Sequence, residues 1–303
     1  MRLTMRLFLL PVSTRRTLIY CERVQEAVQG AQQPISERII NKASQTWAQW
    51  EKAERGWQKK LTVYGNQLFM RIPYEEWGLK SIPPATKRKL QDVDEGKIRF
   101  ECLYPGAFMK QHKVPEILKR LAIERQSFHK KKMWTSLAWI PATLPFAVVP
   151  IVPNIPFFYL CFRAYSHFRA LYGGRLLEHL VRKSLVTTTD SQQMDELYAA
   201  GLLHPNREGS RGAPRPSEDV IQTVAGIVEA QTNGGKEDVM MLQRWNGKLI
   251  AEDFHLPEME IEIERAVEQV EQAIKQRDEL AEEKKEVMEA KVHETEKFDD
   301  SKR

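Results

Sequence analysis

Between Trp134 and Phe162 the chain reads WTSLAWIPATLPFAVVPIVPNIPFFYLCF, 29 residues without a charge but with five prolines: Pro141, Pro145, Pro150, Pro153 and Pro156. Its length and its prolines pull in opposite directions. As a helix rising 1.5 Å per residue it would exceed the roughly 30 Å hydrocarbon core of a bilayer. Each interior proline, however, deletes a backbone hydrogen bond and costs about 3 kcal/mol, and lipid offers no water to the freed carbonyls. The expectation is therefore a helical hairpin instead of one span. Its first arm rises from His129–Lys132 through Trp134 and Trp139 towards Val149. Pro150, Pro153, Asn154 and Pro156 form the turn, and a second arm runs from Phe157 to Tyr172. Pro156 then falls in the first turn of its helix, where a missing N–H does least harm. Each arm has only 16 residues, so a re-entrant wedge and a hairpin buried in protein stay open beside a spanning one.

The charges around this segment are one-sided. No Asp or Glu occurs from Arg125 to Leu177, while Lys130, Lys131 and Lys132 flank one side and Arg163, Arg169 and Arg175 the other. Both basic ends can share one membrane face. Lys130, Lys131, Lys132, Arg163 and Arg169 are the candidate contacts to anionic lipid headgroups. The negative mean hydropathy excludes a chain built mostly of membrane helices. Nucleic acid is not expected as a partner, because no recognised binding module accompanies the basic residues.

Cation exchange in a membrane ordinarily uses an embedded carboxylate, and none lies between Glu124 and Glu178. The titratable groups there are His167, Tyr159 and Cys161, with Arg163 one helical turn before His167. Arg163 is read as reaching headgroups and His167 as sitting in the interface. One hairpin offers too few walls for an ion path. Cys21, Cys102 and Cys161 are scattered, without C-x-x-C or histidines at metal-ligand spacing, and read as small buried hydrophobes. Phosphate loops, nucleophile elbows and H-E-x-x-H patterns are absent. No catalytic, cofactor or metal site follows, and the chain is not read as an enzyme.

Ahead of the apolar segment, the first 21 residues carry four arginines and no acid, which suits an organellar targeting sequence; RLFLLPV within them equally suits a buried strand. A helix is expected from Ser36 to near Ile72, where Pro73 stops it. Its stripe of Ile39, Ala43, Trp47, Trp50, Trp57, Leu61, Tyr64 and Leu68 is read as core, with an interfacial membrane face as the alternative. Lys97–Tyr104, KIRFECLY, alternates as a half-buried strand and can pair with Leu7–Val12.

Beyond the segment, Asp190 is the expected cap of a helix closed by Gly201. His204–Glu218 is read as a flexible linker, and Ser217 opens a further helix ended by Asn233–Gly235. In the last helix Ile263, Val267, Val270 and Ile274 follow coiled-coil spacing. This seam either binds a partner helix or a second copy, or docks on its own domain. From Glu258 onward there are 16 acids and 9 bases, a net of −7.

MRLFLLPVSTRRTLIYCERV (Met5–Val24), the tryptophan-bearing helix and the basic, proline-broken segment resemble the fungal mitochondrial K+/H+ exchange-related protein family. The resemblance implies residence in the mitochondrial inner membrane and involvement in potassium/proton exchange, with no cofactor and no catalytic residues to carry over. The expected fold is mainly α, with a minor β element, one proline-rich membrane hairpin and a C-terminal amphipathic or coiled-coil helix. The expected organisation is an N-terminal domain over 1–128, the hairpin with its basic flanks over 129–183, a helix and linker over 184–218, and a C-terminal region over 219–303. The functional expectation is an accessory or regulatory component of exchange. A membrane-anchored scaffold recruiting a partner through the C-terminal helix is the alternative.

Overall fold

The computed structural model describes residues 3–22, 42, 45–46, 49–50, 52, 55–148, 155–204 and 206–300. The chain is mainly helical with a small sheet. Its elements run β1 (Leu3–Pro11), β2 (Thr17–Cys21), α1 (Trp57–Met70), α2 (Tyr74–Ser81), α3 (Lys87–Asp94), β3 (Ile98–Tyr104), α4 (Val114–Ile123) and α5 (Gln126–Trp139). A 3-10 stretch (Pro141–Val148) follows, then α6 (Ile155–Arg182), β4 (Val186–Asp190), α7 (Gln192–Leu203), α8 (Arg207–Gly212), α9 (Glu218–Gln231), α10 (Asn246–Asp253) and α11 (Pro257–Asp300).

The sheet has four strands, in the order β2-β1-β3-β4. Val12 donates to Arg16 O and Glu22 to Arg6 O, a register in which β1 and β2 run antiparallel. The expected strands at Leu7–Val12 and Lys97–Tyr104 are present, and Ile98, Phe100, Cys102 and Tyr104 are the buried positions of β3. The sheet is larger than the expected pair. In β2 all five residues are buried, so it shows no alternation to read. β4, VTTTD, alternates weakly and is short.

The chain divides into two compact units. One comprises Met1–Phe8, Ile19–Cys102 and Pro115–Thr187; the other comprises Leu9–Leu18, Leu103–Val114 and Thr188–Arg303.

In the first unit α6 is the central element, packed against α2 and α5. Ala122 backs onto Gly174, Gln126 bonds Glu178, and His129 meets His167. Helix α5 therefore runs antiparallel to α6. A Cβ at Gly173 would overlap the carbonyl oxygen of Leu79, and one at Gly174 would press on that of Ala122, so two backbones approach α6 where it has no side chains. Ala170, Leu171, Leu176, Leu177 and Leu180 are fully buried or nearly so.

This corrects the membrane hairpin. The second arm does not end at Tyr172 but continues to Arg182, and its later half is protein core. Among the described residues no helix is long and apolar enough to cross a membrane. Pro156 does occupy the first turn of α6; Pro150, Pro153 and Asn154, expected in the turn, lie outside the described residues.

The tryptophan stripe also needs correction. Ser36, Ile39, Ala43 and Trp47 lie outside the described residues, but on α1 Tyr64 is 65% and Leu68 44% exposed, whereas Thr62 is buried. Phe69 turns inward, its ring centroid 4.9 Å from that of Phe162. Of the stripe residues whose side chains are described, Tyr64 and Leu68 therefore do not serve as core, and Trp50 is partly covered. It does end at Met70, before Pro73.

In the second unit α11 packs on α10, and α7 on α9 and α10. Ser191, not Asp190, caps α7, its hydroxyl accepting from Met194 N–H, because Asp190 closes β4. Gly201 lies inside α7, where Asn246 occupies the space a Cβ would need. The stretch read as a linker contains α8, capped by Asn206. Tyr198 is fully buried and donates to Pro11 O at 3.1 Å. Of the expected partner seam, Ile263, Val267 and Val270 are buried in this unit's own core, Ile263 against Gly247 of α10, and Ile274 is partly covered. Docking on its own domain is the arrangement observed. Periodicity specified a buried face but not its partner.

Candidate functional site

The first unit buries a cluster of ionisable side chains. Tyr74–Ser81 forms a helix because Pro73 starts it and Glu75 and Glu76 suit the positive end of its dipole. Glu76, on this helix, has no exposed side-chain surface. Facing it, α6 contributes Arg163, Ser166 and His167 within little more than one turn, so all three share a side of the helix. Arg163 donates to both Glu76 oxygens, at 2.9 and 3.2 Å, and the Ser166 hydroxyl donates to Oε1 at 2.6 Å. His129, from α5, completes the cluster through its Nδ1, 3.0 Å from Nδ1 of His167.

The donor inventory fixes the tautomers. Arg163 can only donate, so its 3.0 Å bond to Nε2 of His167 makes that nitrogen an acceptor and places the proton on Nδ1. That N–H points to His129 Nδ1, which accepts. The His129 proton is then on Nε2, a buried nitrogen with no hydrogen-bond partner among the described residues. A directed chain results: guanidinium, His167, His129.

Electrostatics agree with neutral imidazoles. Burial pushes both His129 and His167 down to about 4, against the opposing pull of Glu76. Burial by itself would raise the Glu76 carboxyl; the Ser166 hydroxyl and the Arg163 guanidinium outweigh it and hold the group below the ordinary carboxylate range. At neutral pH the cluster is an ionised pair beside two neutral rings.

This arrangement was hidden from a linear reading. No acid lies within the apolar segment, but Glu76 arrives from 87 residues upstream of Arg163. Arg163 is committed to that carboxylate, and His167, expected in an interface, is 2% exposed. Arg169 donates to Lys80 O. Lys130, Lys131 and Lys132 are exposed on α5. The usable signal was Arg163 itself, since a guanidinium in an uncharged helix calls for a carboxylate from elsewhere in the fold.

A second feature lies where α5 ends and α6 begins. Trp134 is 60%, Trp139 61% and Phe158 61% exposed, with Leu137 and Tyr159 exposed beside them in sequence. Because the two helices are antiparallel, these residues gather at one end of the pair, with the three lysines behind them on α5.

Two relatives cover most of their own length with this chain. An uncharacterized protein of Schizosaccharomyces pombe is 26% identical over 192 residues, 63% of this chain and 82% of the relative. An uncharacterized protein of Saccharomyces cerevisiae is 23% identical over 233 residues, 68% of this chain and 73% of the relative. No solved structure matches. The segment from Arg6 to Val181, which holds the buried cluster and the aromatic end, matches the model of one family throughout, and the chain belongs to that family, described as mitochondrial K+-H+ exchange-related.

Proposed function

We propose that this protein is an accessory component of potassium/proton exchange at the mitochondrial inner membrane, attached to one lipid face by the aromatic end of α5 and α6. The carrying observation is the exposed cluster of Trp134, Leu137, Trp139, Phe158 and Tyr159 next to Lys130–Lys132. Amphipathic aromatic rings favour the headgroup boundary, and each lysine near an anionic surface adds about 1 kcal/mol. The absence of acids from Arg125 to Leu177 leaves that attraction unopposed along the segment. This is the wedge form of the hairpin, entering one leaflet without crossing.

The accessory role rests on Glu76. The Glu76 carboxylate, which reaches this segment from α2, is closed off by Arg163 and Ser166 and so is not a lone acid that could trade a proton for K+. The scaffold reading loses its docking seam, since Ile263, Val267 and Val270 are already covered.

Flotation of the purified chain with vesicles tests attachment. Binding is expected to vesicles containing cardiolipin and not to purely zwitterionic ones. Replacing Lys130, Lys131 and Lys132 by Gln should weaken it roughly 100-fold, at about 1 kcal/mol per charge. Trp134→Ala with Trp139→Ala should abolish it while the circular dichroism stays native, because both rings are exposed. Flotation unaffected by either change refutes the attachment. Reconstitution in potassium-loaded liposomes tests the role: coupled K+ and proton movement by this chain alone overturns it.

A further inference from the structure

Three ionisable side chains in the first unit, two imidazoles and a carboxylate, converge on one point. Glu76, His129 and His167 are all buried, and one ligand atom from each lies within 4.8 Å of the other two. His129 Nδ1 and His167 Nδ1 are 3.0 Å apart, and His167 Nδ1 is 3.6 Å from Glu76 Oε2. Donor atoms arranged tetrahedrally about one ion at Zn–N and Zn–O bond lengths stand roughly 3.3–3.5 Å apart. The two edges bracket that value.

We propose that Glu76, His129 and His167 form a binding site for a divalent transition-metal ion of the Zn2+ class. Two imidazoles and a carboxylate are a recurrent donor set for such ions. A K+ site, built of oxygens, is excluded by the two nitrogens, so this would be a bound ion distinct from the one exchanged. Both rings are neutral and Glu76 is ionised near pH 7, the protonation states that metal ligation requires. His129 already carries its proton on Nε2, so the Nδ1 lone pair that accepts from His167 is the one offered to the ion. In His167 the proton moves from Nδ1 to Nε2 when the ion takes Nδ1. Arg163 then gives up its bond to that ring while keeping Glu76 through Nη1. No proton is lost in the exchange; the His167–His129 and Arg163–His167 hydrogen bonds are replaced by three coordinate bonds, one from each ligand.

The position of the ligands explains why no motif announced them. His129 and His167 are 38 residues apart, and Glu76 lies on a third helix. An ion there would tie α2, α5 and α6 together directly behind the aromatic end, independently of whether that end meets lipid.

The test is Zn2+ and Co2+ titration of the full chain after removal of metals with a chelator. One equivalent is expected to bind and to raise the melting temperature. His129→Gln and His167→Gln should each weaken binding by more than about 100-fold, beyond what loss of an outer partner produces. Because both positions are buried, ligand signals are also read on the Co2+-loaded wild-type chain, where two paramagnetically shifted imidazole N–H resonances are expected. Failure to bind one equivalent overturns the proposal. So does binding that survives both substitutions, or a Co2+ form lacking the two imidazole signals.

Discussion

Breaking the Glu76–Arg163 pair should be among the most damaging polar changes available to this protein. Glu76 is wholly buried and the Arg163 side chain is 15% exposed, so neither charge has water to fall back on. Glu76→Gln leaves the guanidinium facing a neutral amide whose NH2 repels it. Removing one partner of a buried pair costs about 3–5 kcal/mol, a large part of the 5–15 kcal/mol that typically holds a domain together. Arg163→Met should cost a similar amount, because it strands the carboxylate with only Ser166 and His167 near it. The double variant should be less damaged than the sum of the two, by a coupling of about 3 kcal/mol, since it strands nothing. Native-state hydrogen exchange, read on the amides of α2 and α6, reports this unit separately from the other. If the two losses simply add to within about 0.5 kcal/mol, the pair is not the closed electrostatic unit described above.

Asp195 offers a pH test in the second unit. Burial, with Glu218 and Asp190 nearby, raises its carboxyl to about 7 despite the N–H that Ala107 donates to it at 3.0 Å. A raised folded-state value means that the fold binds the proton more tightly, so this group's contribution falls as pH rises from about 4 to 7. The full shift corresponds to about 4 kcal/mol at 1.4 kcal/mol per unit, and solvent screening at its edge reduces this to about 1–2 kcal/mol. Asp195→Asn, which keeps the acceptor for Ala107, should therefore match wild type at pH 4 and exceed it in thermal stability at pH 8; equal melting at both pH values contradicts the assignment. Gly173→Ala should destabilise by more than about 3 kcal/mol, because its methyl meets the Leu79 carbonyl. Gly226→Ala, in α9 with nothing within 4 Å, should instead stabilise by about 1 kcal/mol in urea denaturation. Similar effects from the two would remove the close backbone approach as an explanation.

How far the sequence reveals this fold depends on whether each signal is local. Ile98, Phe100, Cys102 and Tyr104 alternate and form β3, and Pro73 ends α1 because its ring constrains the residues before it. Thr17–Cys21 carries no period, since every side chain is covered, and its arginine-rich lead resembles a targeting segment. Ile263, Val267 and Val270 advertise a face to be buried, but the α10 surface that buries it is not written in their spacing. Trp134–Phe162 was judged by its uncharged length; the part of α6 beyond it, packed through Gly173 and Gly174, is visible only once α2 and α4 are in place. The buried cluster was least legible of all, because its members come from three helices and its one local clue was an arginine lacking a nearby acid.

The glycine pair in α6 also acts as a shoulder on a peg. With Leu79 seated against Gly173 and Ala122 against Gly174, the helix cannot slide by a residue in either direction without driving a side chain into a carbonyl. That fixes how far its leading end stands off: Phe158 is 15 positions ahead of Gly173, about 22 Å at the helical rise. On the proposed lipid attachment, penetration depth would be set by this mechanical stop inside the protein and not by the lipid, and lengthening the helix ahead of Gly173 would be the way to change it.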